Sequence, residues 1–586
     1  MLADGQDQPR SCDQHSTTQK VDLVWTWVNG SSTLLEFTRR DRAAQVSGVP
    51  AAEIEAESIA GLAAKLFRDH DELRHSLRAA LQHFNADSNA TADFFIVGSD
   101  MPISVHGMGM DDDPTTGEAR VGQLPAWLEL EDMKSNGEFT NWSKDGKKTK
   151  LQMRHHRDIF SHYDGTVFNS LAIESQFSNL DKIGRPPSVY VNDDVFFSRD
   201  LSPRDFHMQE QGIVMRMQNY IPISPDPSVP QHNGLEWESL QYSNHLLSNR
   251  FGSRFRPYPA HLAKTLSIPM LKEVSRAWPE DLERVIRRPF RGMKHMVESQ
   301  PADMYMVFME HHWIVERWRE TLLWSWVVAR GEVRSKKNPD AWTEGVAQQA
   351  WQELGGTMGE YNLTVQRVPR TTLENADKWT GAKATTVSFC KSASLDGYPY
   401  AEDMDQQGWV SEGDVCEISF DRCFASHDTA SRTFQRVAFE EPVECGDCII
   451  RALINQSGKR GLEAFLPPKS KKPFSREAKP ALPLSSRWQD VDFRLSSAVP
   501  EWVNARQFVL RMLQRYRFVL GDTPFVFAII DNPGSAAQNV KVIESRPELA
   551  ILCVNDDVAE GDDSVRDILE QWMSGRWNQS AAWERR

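Results

Sequence analysis

This sequence predicts a mainly parallel α/β sheet with flanking helices and a small cysteine-containing insertion. Three observations predict that class. Apolar runs of strand length alternate with amphipathic stretches in β–α–β–β order between Val21 and Val195. Two apolar runs, Ser188–Val191 and Ala550–Cys553, close on the same five residues, VNDDV, at Val191–Val195 and Val554–Val558. Five of the seven cysteines crowd between Cys390 and Cys448.

Taken in order, Val21–Val28 (VDLVWTWV) reads as a buried strand ended by the turn pair Asn29-Gly30. Ile59–Phe84 reads as a helix, with Leu73, Leu77, Leu81 and Phe84 on one face. Asp93–Val97 is a second strand. The polar, Gly- and Asp-rich stretch from Gly98 to Lys148 reads as a surface insertion, interrupted by Gly122–Trp127 (GQLPAW). Asn169–Leu180 reads as a helix leading into the strand that carries Asp193 and Asp194. Leu271–Arg330 is mostly helical, and its aromatic-rich end, Met304–Ala329, reads as a buried packing helix. Leu466–Arg487, rich in Pro and Lys, reads as a linker. Glu501–Phe518 reads as a helix. Phe525–Ile530 and Ala550–Val554 read as strands able to rejoin the first sheet, which would bring the second VNDDV near the first.

The chain has 586 residues, 40% hydrophobic and 25% charged, a soluble globular composition with room for a large core. Net charge is −15 and no basic stripe with interleaved aromatics occurs, which excludes nucleic acid as an expected partner. Met1–Lys20 is polar, neither a signal peptide nor an anchor, and the longest apolar run, Leu322–Ala329, is too short to cross a bilayer. Sequons at Asn29, Asn89, Asn141, Asn362, Asn455 and Asn578 lean toward a secretory lumen. Cys445-x-x-Cys448 raises a zinc reading. No second such pair or His pair completes a zinc set, so disulfides are expected in that window, with Cys12 and Cys553 free.

Paired carboxylates at the tip of a buried strand are costly unless a cation or hydrogen-bond donors meet them. In open α/β sheets, ligands bind at the carboxyl ends of the strands. Asp193 and Asp194, with Asp556 and Asp557 in the second copy, are therefore candidate ligands for a phosphate-carrying divalent metal, Mg2+ or Mn2+. The ordinary alternative for each copy is an Asx turn.

Together these segments resemble the Stealth family of sugar-phosphate transferases, through four separated blocks in order. The first is Asp22–Gly30 (DLVWTWVNG). The second starts at Glu72–Arg78 (ELRHSLR) and continues through Gly122–Trp127, His156–Phe160 (HRDIF), Phe168–Glu174 (FNSLAIE) and Tyr190–Val195 (YVNDDV). The third is Pro259-Ala-His261 with a basic stretch ending Phe290-Arg291; Lys264 stands where animal members carry a second histidine. The fourth is Cys553–Asp557 (CVNDD).

The resemblance implies a Rossmann-like, glycosyltransferase-A-like sheet. The chain is expected to divide into a disordered N-terminus at 1–20, a catalytic α/β core over 21–345 holding the first three blocks, a Cys-containing insertion over 346–465, a linker over 466–487, and a C-terminal segment, 488–586, rejoining the core. The implied reaction moves a sugar-1-phosphate from a nucleotide sugar, with a UDP-sugar expected, to a hydroxyl of a mannose-containing glycan, and a nucleoside monophosphate leaves. The implied setting is the Golgi lumen or secretory pathway, usually behind an N-terminal membrane anchor, which Met1–Lys20 does not supply; a homodimer is compatible. Asp194 is expected to be catalytic and His261 to be the second candidate for proton transfer. Arg291 would steady charge on the phosphoryl oxygens, with Arg288 as the alternative. Asp22, Trp27, Asn29, Gly30, Arg78, Gln123, His156, Asn169, Ser170, Glu174 and Asn192 are expected to bind substrate. Asn29 is expected to be unglycosylated, because a glycan there would block the cleft. Two rival functions remain: a metal-dependent glycosyltransferase that moves sugar without phosphate, and a non-catalytic secretory protein that binds glycan or calcium. The co-occurrence of Asp194, His261 and Arg291 weighs against the binder.

Overall fold

The computed structural model describes residues 21–50, 68–84, 92–103, 119–134, 137–142, 148–184, 187–208, 212–229, 234–292, 301–335, 337–366, 415–424, 429–457, 462–470, 481–500, 503–521, 523–558 and 562–585. Residues 1–20, with Cys12, and the segment holding Cys390 lie outside that set, as does the first part of the expected helix at Ile59–Phe84.

Six strands form the main sheet. Asp22–Trp27 sits at its centre, flanked in parallel by Asp93–Gly98 on one side and Ser188–Asn192 on the other. Lys148–His155 adds a fourth parallel strand, while Lys264–Leu266 and Glu138–Trp142 close the two edges antiparallel. The expected parallel character thus holds for the four inner strands, and the architecture is mixed α/β.

Alternation along the central strands explains why they read as unbroken apolar runs. Leu23, Trp25, Phe94 and Ile96 pack on one face, against Leu73 and Leu77 of the helix Glu72–His83. Val24, Phe95 and Val97 face the opposite, larger core. A sheet covered on both sides needs no polar face. Ser76, on the same helix, accepts from Trp25 Nε1 at 2.9 Å and donates to the Val195 carbonyl at 2.5 Å, fixing the helix across the end of two strands.

The C-terminal strands do not extend this sheet. Phe525–Ile530 and Ile551–Asp556 pair in parallel and make a separate three-stranded sheet with Val195–Phe197. The chain leaves the first VNDDV directly into that borrowed strand, so the two copies become neighbours through a second sheet.

The helix Met306–Trp324 is buried along its whole length. Its charges are met internally: Arg256 reaches Glu316 at 2.7 Å, Arg250 reaches Glu320 at 2.6 Å, and Arg319 reaches Asp447 at 2.5 Å. Asp447 belongs to the cysteine region, whose Phe420, Phe424, Phe434 and Phe439 share the large core with this helix. The region is therefore packed into the body rather than appended to it. Cys416 pairs with Cys448 and Cys423 with Cys445, so the Cys445-x-x-Cys448 sulfurs form disulfides and are not a zinc ligand set. Among the described residues, no helix is long and apolar enough to cross a membrane.

Candidate active site

Two strand tips begin the site. Thr26 lies beside Asn192 in register, so the turn after Asp22–Trp27 and the acidic tip after Ser188–Asn192 open at the same sheet end. Val195 then pairs with Cys553, and the Val554 amide donates to the Asp194 carbonyl at 3.0 Å. This pairing sets the Cys553 thiol 3.4 Å from Asp194 Oδ2 and 3.4 Å from His261 Nδ1. Residues far apart in sequence thus form one chain of contacts, carboxyl, thiol and imidazole. The His261 ring also meets the Phe527 ring edge-on, with centroids 5.3 Å apart.

A second wall comes from the helix Ser170–Ser175 and the edge strand. Arg291 donates from Nε to Ser170 Oγ at 3.0 Å and makes no ion pair among the described residues. The Glu174 carboxylate is buried and accepts from the Tyr190 hydroxyl at 3.2 Å. Lys264 stands directly across from Tyr190 in the antiparallel pair. Its ammonium is 5.9 Å from the centre of the Tyr190 ring.

Asn169 builds this wall without facing it. Its Oδ1 accepts from the Leu171 amide at 3.1 Å, capping the short helix that carries Ser170 and Glu174. Its Nδ2 donates to Asp303 Oδ2 at 3.0 Å and to the Arg288 carbonyl at 3.3 Å. Arg288 itself is spent on Asp303 at 2.6 Å. Of the two arginines weighed for the phosphoryl role, Arg291 is therefore the one turned to the site.

Burial dominates the electrostatics. It pushes the Asp194 carboxyl up to about 6, against the pull of the Cys553 thiol. Asp193 is held well above the carboxylate range by burial and by the like charges of Asp194 and Asp69. Glu174 rises to about 7 through burial, although Lys264 and Arg291 pull it down. His261 falls to about 4, first by burial and then by the nearby Lys264 cation, so it is neutral at pH 7. Cys553 is raised by burial and Asp194, and stays a thiol.

Other residues picked from the sequence have supporting positions. Gln123 exchanges two hydrogen bonds of 2.9 Å with the Asn29 backbone and fixes the turn that contains Gly30. The Asn29 side chain is turned back on Ser31, at 2.8 Å from its hydroxyl. Trp27 donates from Nε1 to Asp69 at 2.9 Å. His156 is buried against Phe160, with its basicity lowered to about 4 by burial. Asn192 is half-buried at the strand tip.

Two expectations need correction. Arg78 does not reach the site. Its guanidinium pairs with Glu584 (Nε to Oε1, 2.8 Å) and donates to the Trp577 carbonyl at 3.1 Å, tying down the end of the chain. Asp22 lies at the amino end of its strand, where it accepts from the Asp93 amide at 3.4 Å. The site forms at the opposite end, one strand length away.

The second acidic tip also differs from the first. Asp556 meets Arg68 at 3.1 Å and His70 at 3.2 Å, and these partners hold it below the usual carboxylate range, against its burial. Among the described residues, His70, Asp556 and Asp562 are the one group whose ligand atoms are already close enough together for a metal. Arg68 occupies both of those carboxylates, reaching Asp562 at 2.8 Å, and supplies the positive charge itself. The Asp557 amide donates to the Ile530 carbonyl at 2.8 Å. Among the described residues, the first tip holds no arginine of this kind, and its carboxylate atoms are not drawn together as the ligand atoms of His70, Asp556 and Asp562 are. Asp193, Asp194 and the neighbouring Asp69 and Glu72 offer oxygen ligands only, and Glu72, like Asp193, is pushed well upward by burial and by neighbouring acids.

Four participants were not singled out from the sequence as site residues: Lys264, Tyr190, Cys553 and Phe527. Tyr190 and Cys553 sit inside the matched blocks, next to residues that were. Nothing in the sequence placed Phe527 beside His261.

Residues 260–316 match the family profile of Stealth protein CR3, conserved region 3. That span holds His261, Lys264 and Arg291. The chain is 32% identical over 457 residues to a 3-O-alpha-D-mannopyranosyl-alpha-D-mannopyranose xylosylphosphotransferase of Cryptococcus neoformans, covering 71% of this chain and 51% of the relative. It is 26% identical over 296 residues to an exopolysaccharide phosphotransferase of Streptomyces coelicolor, covering 50% of this chain and 25% of that protein. An exopolysaccharide phosphotransferase of Mycobacterium tuberculosis is also 26% identical, over 46% of this chain and 41% of its own length. The chain thus spans about half, or less, of the curated relatives it matches. The region 3 match and these relatives support a Stealth-family sugar-phosphate transferase.

Proposed function

We propose that this chain transfers a sugar-1-phosphate from a nucleotide sugar, a UDP-sugar by expectation, to a hydroxyl of a mannose-containing glycan. The observation that carries the proposal is the Asp194–Cys553–His261 chain of contacts, with Arg291 within electrostatic reach of both His261 and Glu174. The sheet around it takes the Rossmann-like, glycosyltransferase-A-like role.

The acceptor hydroxyl oxygen bonds to the sugar-bearing phosphorus while the bond from that phosphorus to the nucleoside monophosphate oxygen breaks. Asp194 Oδ2 is engaged by the thiol, whereas Oδ1 is shielded from bulk water and has no hydrogen-bond partner. That oxygen is the base that takes the hydroxyl proton. His261, neutral and turned to Cys553 through Nδ1, keeps Nε2 for the substrate. Arg291, steadied by Ser170, places its planar donors on the phosphoryl oxygens. Asp193 and Asp194, with Asp69 and Glu72 nearby, would hold a divalent cation, which would supply charge neutralisation to the diphosphate. The mannose acceptor rests on the name of the fungal relative. Two disulfides and the sequons suit a secretory compartment.

The test is product mass. UDP-xylose, UDP-N-acetylglucosamine and GDP-mannose are offered in turn with a dimannoside. The expected product gains sugar plus phosphate, with release of a nucleoside monophosphate. A gain of sugar alone, with release of the diphosphate, makes the protein a glycosyltransferase and overturns the proposal.

A further inference from the structure

Lys264 is only 6% exposed, yet among the described residues its ammonium meets no carboxylate in an ion pair. Its one hydrogen bond goes to the Leu262 carbonyl at 3.3 Å. An ammonium taken out of water with so little compensation is expensive. Such a group persists where a ligand completes it.

Two further polar atoms near Lys264 are also incomplete. Glu174 Oε2 and Asp194 Oδ1 are both inaccessible and without hydrogen-bond partners. Both acids act electrostatically on Lys264, as does Glu236. Each stays outside ion-pair distance, so the attraction holds the lysine in place while leaving its remaining donors unused. The edge pairing adds a geometric constraint. Lys264 is fixed opposite Tyr190, two residues before the Asn192-Asp193-Asp194 tip.

From this juxtaposition we propose that Lys264 is a phosphate-binding residue, whose ammonium contacts the diphosphate of the nucleotide-sugar donor. A compact, multi-donor point charge suits a tetrahedral anion approached from a confined side. Phosphoryl oxygens would supply the acceptors that Lys264 lacks. Sugar hydroxyls of the same ligand would donate to Glu174 Oε2.

This inference rests on the sugar-phosphate reading of the site, but its test does not need turnover. Inorganic pyrophosphate, with Mg2+ present, is titrated calorimetrically into the full chain and into Lys264→Met and Lys264→Arg. Matched thermal melts establish that each variant is folded. Pyrophosphate binding should weaken at least tenfold in Lys264→Met and recover to within about threefold in Lys264→Arg. Should the methionine variant fail to fold, Lys264→Gln carries the same comparison with a polar side chain of similar reach. Equal pyrophosphate affinity in wild type and the neutral variant overturns the assignment, whatever the product mass proves to be. Conversely, a product without phosphorus removes the phosphotransferase reading while leaving the anion measurement standing.

Discussion

Replacing Asp194 by Asn should make this protein more stable and inactive at once. Asn keeps the shape of the side chain and removes a charge that the cleft does not favour. In the folded state the Asp194 carboxyl holds its proton up to about 6, against an ordinary value of 3.8. At 1.36 kcal/mol for each tenfold change in the proton equilibrium, that difference costs the fold about 3 kcal/mol once the group is ionised. The sign follows from the order of ionisation. An unfolded chain releases this proton first, so the wild type loses stability as pH rises through the interval between the two values, and the loss is complete above it. Asn has no proton to release. The Asp194→Asn variant should therefore match the wild type near pH 4 and exceed it at pH 7.5 in chelator by up to about 3 kcal/mol, a few degrees in melting temperature for a chain this large. Added Mg2+ should narrow the gap by stabilising the wild type preferentially. Turnover should fall by about 10³-fold or more, since both the base and its charge are gone. Thermal melts at the two pH values, paired with product mass spectrometry, decide it. Wild-type turnover in the variant would end the catalytic assignment, and a variant less stable at pH 7.5 in chelator would refute the buried-charge argument.

Activity should have its acid limb between about pH 6 and 7, set by Asp194 and Glu174, because His261 is already neutral throughout that range. Glu174→Gln should move the limb downward in a pH–rate profile, and His261→Asn should lower turnover without moving it. Arg78→Ala leaves the buried Glu584 carboxylate without its partner and should cost about 3 kcal/mol in stability, seen as a lower melting temperature with an unchanged donor KM. Phe527 is 37% exposed beside His261, and Ile529 on the same edge strand is 52% exposed, so the pair offers an apolar ledge to the acceptor sugar. Phe527→Ala should raise acceptor KM severalfold and leave donor KM alone; the reverse pattern would place the donor there. Thiol labelling of the denatured, unreduced chain should leave Cys416, Cys423, Cys445 and Cys448 unmodified, while Cys553 reacts only after unfolding.

Much of the parallel core was legible because it depends on local patterning. Strands covered on both faces read as apolar runs, and a strand tip bearing acids is conspicuous. What was not legible depends on distant partners. The Arg78 guanidinium is claimed by Glu584, 506 residues away, and no local pattern around the helix Glu72–His83 announces it. Asp22 shares a block with Asn29, yet a strand advances about 3.3 Å per residue, so the two ends of one motif cannot serve the same site. A family block mixes residues that build a strand with residues that use its tip, and resemblance alone does not sort them.

The repeated pentapeptide shows how far identity of sequence falls short of identity of chemistry. Asp193 and Asp556 occupy the same position in their copies, each after an apolar strand. Asp193 lies near other acids, and burial and their like charges hold its proton. Asp556 faces Arg68 and His70, and its proton is released easily, although burial opposes that release too. The same side chain is therefore left among acids in one copy and is already supplied with a cation in the other. A strand supplies the position of a carboxylate, but its charge state is decided by whichever segment the fold lays against it. The first copy keeps its raised carboxyls because Val195–Phe197 turns away to pair with the C-terminal strand, bringing Cys553 and, among the described residues, no arginine to Asp194. An arginine introduced at Cys553, by supplying that missing charge, should convert the first tip into a structural ion pair like the second. It should drop the Asp194 carboxyl below its present value near 6, and abolish turnover. Wild-type turnover in a folded Cys553→Arg variant would show that the tip's chemistry is set by the pentapeptide itself and not by its partners.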